Sequence, residues 1–352
     1  MRSHERPLTA LVLGVITTRL NLNSATERFY TIAAAQPAEA KRRKASDQQL
    51  VEFANDLATD VPELAADDVA AACQSGARPS PAHLATLRVM LGLKPKDVPD
   101  HPGGLITLPV QHPAALMGWS ALMDLSEFRR QGWTLVGGQM VHLLAWEHGE
   151  ESPRATTDAD VVLNVRAYPT ALRDVTKKLV ETGFAEDGVS PDGIAHRYRH
   201  TQTTDAAVDV LLPEGLVTEK FTTITGARTI SAAGSVQAIE RSMRRSIEIS
   251  GRQGAVIRPD LHAALVLKAA AYQAEAGRTQ NARRHLDDFA YLVSLFARRH
   301  SITEFQDRLG AKDRTRISNA LGNLLPADPI WHVVPDGMDA RDLIVSALSR
   351  AI

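Results

Sequence analysis

The sequence predicts an α+β fold, in which a mixed sheet lies in the middle of the chain and helices lie on both sides of it. Between residues 113 and 255, helical and strand patterns alternate without the regular order of repeated strand–helix–strand crossovers. After Pro259, apolar residues recur at helical spacing to the end of the chain. The same spacing between residues 47 and 95 predicts a helical extension on the N-terminal side.

Length and proline content divide the chain into four predicted segments. The 352 residues are enough for roughly two to three domains. A hydrophobic fraction of 44% and a charged fraction of 23% are typical of a globular protein. The predicted segments are a flexible arm (1–48), a small helical module with a linker (49–112), a core (113–255) and a C-terminal helical domain (256–352).

Charge, cysteine content and hydropathy exclude several classes of protein. The net charge is -1, so a nucleic acid would have to be bound by local basic patches. The single cysteine, Cys73, excludes an intramolecular disulfide and a cysteine-based zinc cluster. The apolar run at residues 8–16 is too short to cross a bilayer as a helix. We therefore expect a cytoplasmic protein without a membrane partner.

The core and the C-terminal segment are predicted element by element. A helix and a short strand lead to a pair of glycines, Gly137 and Gly138. Another helix and a charged loop lead to the strand that contains Asp158 and Asp160. The predicted helices are 113–130, 139–146, 169–182, 262–275, 281–299, 302–309, 314–325 and 339–351, and the other strands are 133–136, 193–200 and 207–212.

Asp158 and Asp160 have the spacing of residues whose side chains share one face of a strand. Carboxylates so arranged can converge on two divalent cations, which are about 3.5–4 Å apart in two-metal sites. Gly137 and Gly138 lack a Cβ, so their backbone N–H groups can approach a triphosphate closely. Each motif alone is weak, because polar residues alternate in half-exposed strands and glycine pairs are common in turns. It is the order of these motifs that predicts metal-dependent nucleotidyl transfer.

Charged residues in apolar surroundings are further candidates. Asp209 lies among valines and leucines, where a carboxylate is costly unless it binds a metal or accepts structural hydrogen bonds. Lys268 interrupts an apolar helix, so either its charged end reaches the surface or it contacts a nucleotide phosphate. Asp287 and Asp288 lie on the next helix, which can fold back toward Lys268, and only one of these two adjacent aspartates can point inward. Arg154 either clamps a triphosphate or pairs with an acidic neighbour.

Clusters of arginine have two interpretations. They form either an RNA-facing surface or ordinary solvated helix faces. These arginines are Arg241, Arg244, Arg245, Arg283 and Arg284.

Residues 115 to 300 resemble the nucleotidyltransferases of the DNA polymerase β superfamily, in particular the AbiEii/AbiGii-type (MenT-like) toxins. The resemblance rests on an ordered set of motifs. These are Gly137-Gly138-Gln139-Met140, Arg154-Ala155-Thr156-Thr157-Asp158-Ala159-Asp160-Val161, Val208-Asp209-Val210, Lys268-Ala269-Ala270 and Arg284-His285-Leu286-Asp287-Asp288. One departure is the nineteen residues between Gly138 and Asp158, a longer spacing than in the compact form of the superfamily.

The resemblance implies a site and a cofactor. It implies two Mg²⁺ ions, with Mn²⁺ as an alternative, held by Asp158, Asp160 and Asp209. It implies catalytic roles for these three residues and for Lys268 and Asp288. The nucleotide-binding residues that it implies are Gly137, Gly138, Arg154, Thr157 and Lys268.

The reaction that the resemblance implies is transfer of a nucleoside monophosphate from an NTP to an acceptor hydroxyl, with release of pyrophosphate. The implied acceptor is the 3′ end of a tRNA, and the implied biological role is that of the toxin in a toxin–antitoxin system, with an antitoxin protein as partner. Two alternatives stay open. In the first alternative, the chain is a nucleotidyltransferase that modifies a small molecule or a protein instead of a tRNA. In the second, it is a non-catalytic binding protein with the same fold.

Overall fold

The structure is a computed structural model that describes residues 98–109, 111–152, 154–203, 205–216, 218–277 and 282–349. Apart from residues 166–168, these belong to one compact unit, which includes the predicted core and the predicted C-terminal domain. The predicted arm (1–48) and the helical module as far as residue 97 lie outside the described residues, as does Cys73. The compact unit has the α+β architecture that the sequence predicts, with mixed sheets, helices and a C-terminal helical region.

The described strands and helices follow one another along the chain. The strands are β1 (Ile106–Thr107), β2 (Trp133–Val136), β3 (Ala159–Leu163), β4 (Phe184–Glu186), β5 (Arg197–His200), β6 (Ala207–Pro213), β7 (Ser231–Ala232), β8 (Ser242–Ile249) and β9 (Arg252–Pro259). The helices are α1 (Pro113–Phe128), α2 (Gly137–Glu147), α3 (Ala171–Glu181), α4 (Ser235–Glu240), α5 (Leu261–Glu275), α6 (Ala282–Arg299), α7 (Ile302–Arg308), α8 (Ala311–Asn323), α9 (Ile330–Val333) and α10 (Gly337–Ser349).

Six strands form the larger sheet, in the order β2–β3–β6–β5–β4, with β7 beside β6. Strands β3 and β6 run parallel at its centre, whereas β2, β5 and β4 pair antiparallel with their neighbours along this order. Parallel neighbours need a long connection, which helix α3 and the hairpin of β4 and β5 provide. Val161, Val162 and Val210 fill the interior between this sheet and its helices and are fully buried. The centre of the sheet is therefore a rigid support for side chains at its edge.

The smaller sheet corrects the interpretation of the arginines near residue 245. Its order is β1–β8–β9, and Arg244 and Arg245 lie in strand β8 rather than on a helix. Arg245 is buried, donates from Nη1 to the carbonyl oxygen of Gly103 at 2.7 Å, and lies 3.5 Å from Glu147. The interpretation as a solvated helix face is thus wrong for these two residues, and burial also removes Arg245 from any RNA-facing surface.

Local sequence signals explain where the helices of the core begin and end. Helix α1 starts with Pro113, a residue suited to the first turn, and the ring of His112 accepts a hydrogen bond from the N–H of Ala114 at 3.3 Å. Helix α3 ends before Gly183, whose φ of +92° only glycine adopts without strain. Helix α2 begins directly at the end of β2, so the first turn of α2 lies against the sheet.

The C-terminal helical region has the predicted elements, with bounds shifted by at most three residues. Asp260 caps α5 by accepting a hydrogen bond from the N–H of Ala263 at 2.9 Å. The first ten residues of α5 are buried because α5 packs against α6 and α8. Lys268 lies in this buried part of the helix. None of the described helices has the combined length and apolar character that crossing a membrane requires.

His262 on α5 gives a prediction for the pH dependence of folding. Its side chain is fully buried, lies 4.8 Å from the Phe296 ring, and has no hydrogen-bond partner among the described residues at either ring nitrogen. Burial lowers the pKa of His262 to about 4; Arg308 and His300 also lower it, against the opposing charge of Asp260. In the unfolded chain the pKa of histidine is about 6.5. Because the unfolded state then binds the proton first, stability is lost as the pH falls from about 6.5 to about 4.

We expect His262→Leu to remove this component. Between pH 7 and pH 4, the free energy of unfolding of the wild type should fall by roughly 3 kcal/mol more than that of the variant. Chemical denaturation followed by circular dichroism measures this difference, and His332→Leu, at an exposed position, is the control. An equal loss in the wild type and in His262→Leu would contradict the prediction.

Candidate active site

The parallel pairing of β3 and β6 brings the predicted acidic residues together. Asp160 of β3 and Asp209 of β6 are direct register partners, so their side chains lie next to each other on the same face. Asp158 stands immediately before β3 and is partly exposed, whereas Asp209 is only 8% exposed. The prediction that the carboxylate of Asp209 lies next to the Asp158–Asp160 edge is confirmed.

Arg197 is the residue of this cluster that sequence reasoning missed. It is the register partner of Asp209 on β5, and its Nε and Nη2 each donate to a different oxygen of Asp209 at 2.8 Å. The same Nη2 also donates to Asp158 at 3.1 Å. A sequence signal that could have found it is the polar turn before β6, from which the register of the hairpin can be derived.

The protonation of Asp160 reflects its crowded surroundings. Burial and, next, the charge of Asp209 raise the pKa of Asp160 to about 7, although Lys268 opposes this shift. Ionising all of these neighbouring carboxylates has a high free-energy cost unless a cation lies among them. In the part of the chain that the structure describes, no three His, Cys, Asp or Glu side chains are grouped to hold a metal ion. Arg197 engages Asp158 and Asp209 instead.

The two glycines allow the backbone to approach these side chains. Gly137 has a φ of +70°, and a Cβ there would lie 1.7 Å from Oδ2 of Asp160. A Cβ on Gly138 would lie 2.8 Å from Nη2 of Arg154 and 2.9 Å from the side chain of Thr156. Both glycines are therefore needed for the packing of the site itself, whether or not they also bind phosphates.

Lys268, Asp288 and Arg154 form a second charged cluster. Nζ of Lys268 donates to Oδ2 of Asp288 at 2.7 Å, and Arg154 donates to both oxygens of the same carboxylate at 3.2 and 3.1 Å. Lys268 and Asp288 are each 2% exposed, so the interpretation in which Lys268 reaches the surface is wrong. Asp287 pairs outward with Arg283. Of the alternatives for Arg154, the structure has the pairing with an acidic neighbour.

Electrostatics connect the two clusters. Burial favours the neutral form of Asp288, but Lys268 and Arg154 outweigh it and hold the pKa of that carboxyl below its ordinary value. Burial alone would lower the pKa of Arg154, yet the charges of Asp288 and, more weakly, Asp160 raise it. Lys268 also acts on Asp160, whose pKa it lowers. Positive charge beside Asp288 thus partly compensates the acidic residues on the sheet.

Hydrogen bonds to α2 position the segment before β3. Nε2 of Gln139 donates to the carbonyl oxygen of Thr157 at 3.3 Å, and Nε2 of His142 lies 2.5 Å from the carbonyl oxygen of Arg154. The hydroxyl of Thr157 donates to Asp158 at 3.4 Å, so the predicted nucleotide-binding threonine contacts an acidic residue of the site. Every residue predicted for the site therefore lies in one of the two clusters or in contact with one.

Comparisons with family models, with curated proteins and with solved structures found no match to this chain.

Alanine at Gly137 should destabilise the fold more than alanine at a glycine with the same backbone conformation. Gly149 has a φ of +72°, and no described atom lies within 4 Å of the position that a Cβ would take there, so Gly149→Ala should cost only the strain of about 1–2 kcal/mol. Gly137→Ala adds the clash with Asp160, for which a further cost of about 1–3 kcal/mol is typical. Urea denaturation measures both. Equal destabilisation by the two substitutions would contradict the prediction, because it would mean that the side chain of Asp160 moves aside without an energetic cost.

Removing the charge of either Lys268 or Asp288 should be costly, because the residue that remains is then a buried charge with less opposite charge beside it. We expect Lys268→Met and Asp288→Asn each to cost about 3–5 kcal/mol of unfolding free energy. In the double variant the costs should fall short of additivity by about 1–3 kcal/mol. The exposed pair Lys177 and Glu181, 3.8 Å apart, is the control, with an expected coupling of about 0.3–0.5 kcal/mol. Additive costs for Lys268 and Asp288 would contradict the prediction.

Proposed function

We propose that this chain is a magnesium-dependent nucleotidyltransferase with a polymerase-β-like core. It would transfer a nucleoside monophosphate from an NTP to an acceptor hydroxyl and release pyrophosphate. The observation that carries the proposal is the register of β3 and β6, which sets the Asp160 and Asp209 carboxylates side by side. Gly137, at the N-terminus of α2, contacts the same carboxylate of Asp160. A helix N-terminus next to a cation site is suited to a nucleotide phosphate.

The chemistry of the donors fits Mg²⁺ or Mn²⁺. Asp158, Asp160 and Asp209 offer carboxylate oxygens, which both ions prefer. Because Gly137 has no Cβ, the space directly against Asp160 is not taken by a side chain at that position. When bound, the metal would lower the pKa of the acceptor hydroxyl and offset the negative charge of the pyrophosphate.

The basic residues of the second cluster have different proposed roles because they differ in exposure. The side chain of Arg154 is 32% exposed, so its guanidinium can contact a triphosphate while it stays near Asp288. Lys268 is enclosed and bonded to Asp288. We therefore assign Lys268 and Asp288 to positioning Arg154 and to balancing the charge of Asp160, and Arg154 to the phosphates. Catalysis would then consist largely of positioning and electrostatic stabilisation.

The acceptor and the biological role are supported by the motif resemblance alone. The 3′ end of a tRNA is the proposed acceptor, and the proposed role is that of a toxin whose activity an antitoxin protein restrains. In the described part of the chain, several of the arginines considered for an RNA-facing surface are engaged within the fold. Arg245 is buried against Glu147, and Arg283 is paired with Asp287 and Asp328.

Labelling with radioactive NTPs tests the proposal. Purified full-length protein with Mg²⁺ and each of the four α-labelled NTPs should transfer label to total RNA, with tRNA as the labelled fraction. Asp160→Asn should lower the rate by at least about a hundredfold, because a metal-binding carboxylate stabilises the transition state by several kcal/mol. Asp342→Asn, at an exposed aspartate on α10, is the control and should leave the rate unchanged.

The other outcomes of this labelling experiment discriminate between the functions. Label in a protein or small-molecule fraction would favour the alternative acceptor over tRNA. No transfer to any fraction, together with no binding of Mg²⁺–NTP by calorimetry, would favour a non-catalytic protein and would overturn the proposal.

A further inference from the structure

Arg197 donates hydrogen bonds to the carboxylate oxygens that a divalent cation would need as ligands. Its guanidinium donates to both oxygens of Asp209 at 2.8 Å and to one oxygen of Asp158 at 3.1 Å. A carboxylate that accepts both prongs of an arginine has few lone pairs left for a metal. Two of the three proposed metal ligands are thus already paired with a side chain of the protein.

The guanidinium of Arg197 has room to leave these carboxylates. Its side chain is 34% exposed, compared with 3% for Lys268. It also lines an open cavity of about 280 Å³, together with Asp187, Ser190 and His196. The backbone of Arg197 is fixed by the pairing of β5 with β6, so only its partly exposed side chain would have to move for the guanidinium to leave the carboxylates.

Two roles for Arg197 are physically possible, and they have opposite consequences. An arginine that orients metal ligands would stay in place and strengthen metal binding. A competing arginine would have to be displaced, because a guanidinium and a divalent cation repel each other at one carboxylate pair. The bidentate contact with Asp209 and the open space beside Arg197 favour the second role.

We propose that Arg197 is a resident counterion of the acidic residues, which divalent cations must displace from Asp158 and Asp209 before nucleotide is bound. This inference rests on the proposed function, since it assumes that these carboxylates bind a metal. Arg197 would keep the cluster stable without metal and would set the metal concentration at which the site becomes competent.

Binding of Mn²⁺ to the full-length chain, followed by electron paramagnetic resonance with and without a non-hydrolysable NTP analogue, tests this inference. Arg197→Gln should bind Mn²⁺ about tenfold more tightly than the wild type, because charge-assisted hydrogen bonds no longer compete with the ion. Arg199→Gln is the matched control: Arg199 lies on the same strand and pairs with the exposed Asp187 at 2.7 Å. It removes the same charge and should change the affinity by less than about twofold.

A second measurement reports on folding. Without metal, Arg197→Gln should unfold at a lower temperature than Arg199→Gln, and saturating Mn²⁺ should raise its unfolding temperature more than that of the wild type. If Arg197→Gln does not fold, Arg197→Lys keeps the charge, loses the planar fork, and should still bind Mn²⁺ more tightly than the wild type.

The outcomes separate failure of this inference from failure of the proposed function. Mn²⁺ binding by the wild type, with equal or weaker binding by the Arg197 variants, would overturn only the role of Arg197 as a competitor; a loss of about 10–100-fold would identify it as an orienting residue instead. Absence of Mn²⁺ binding in every protein, with and without the nucleotide analogue, would overturn both. Binding by Arg197→Gln but not by the wild type would support both.

Discussion

The pairing of β3 with β6 is the constraint on which the rest of this site depends. It sets two aspartates in register at the centre of the larger sheet, and Asp158 lies immediately before β3. Negative charge concentrated in this way is expensive in a partly desolvated place, with a penalty of several kcal/mol for each uncompensated ion. Burial and, next, the charge of Asp209 accordingly raise the pKa of Asp160 to about 7. The basic residues around the sheet can be understood as the response to it.

The compensation comes from two directions and has two forms. On one side, Arg197 reaches across from the neighbouring strand and binds Asp209 and Asp158 directly. On the other side, Lys268 acts on Asp160 through its charge while its hydrogen bond goes to Asp288. The glycine at the start of α2 completes the arrangement, because any side chain at Gly137 would fall on the carboxylate of Asp160. The position of the Asp160 side chain thus depends on the absence of a side chain at Gly137.

Much of this arrangement could be predicted from the sequence where the signal is local. The strand of residues 133–136 and the end of α3 at Gly183 follow from hydrophobic pattern and glycine, and both are confirmed. The hairpin of β8 and β9 was missed, although its turn, Ser250 and Gly251, has positive φ at both residues (51° and 80°) as two-residue hairpin turns require. Arginines within β8 interrupted the apolar alternation that marks a strand.

Other features could not be predicted because they depend on tertiary structure. The partner of Arg197 is fixed by the register of β5 on β6, which the turn at residues 201–205 indicates only once these two strands are known to pair. Helical spacing likewise could not decide between a surface lysine and a buried one at position 268. That choice depends on the packing of α6, which carries Asp288, against α5. Burial of both residues required each of them to have a partner of opposite charge.

These contacts also determine which parts of the site can respond to a ligand. The backbones of β3, β5 and β6 are held by pairing on both sides, so the backbone positions of Asp160 and Asp209 cannot separate without breaking the sheet. Lys268 is enclosed by α5 and α6 and cannot leave Asp288 without exposing a buried charge. The side chains of Arg197 and Arg154 are each about one-third exposed and are not enclosed in this way. A cation or phosphate arriving at the carboxylates would therefore be accommodated by movement of these two arginine side chains rather than by a change in the fold.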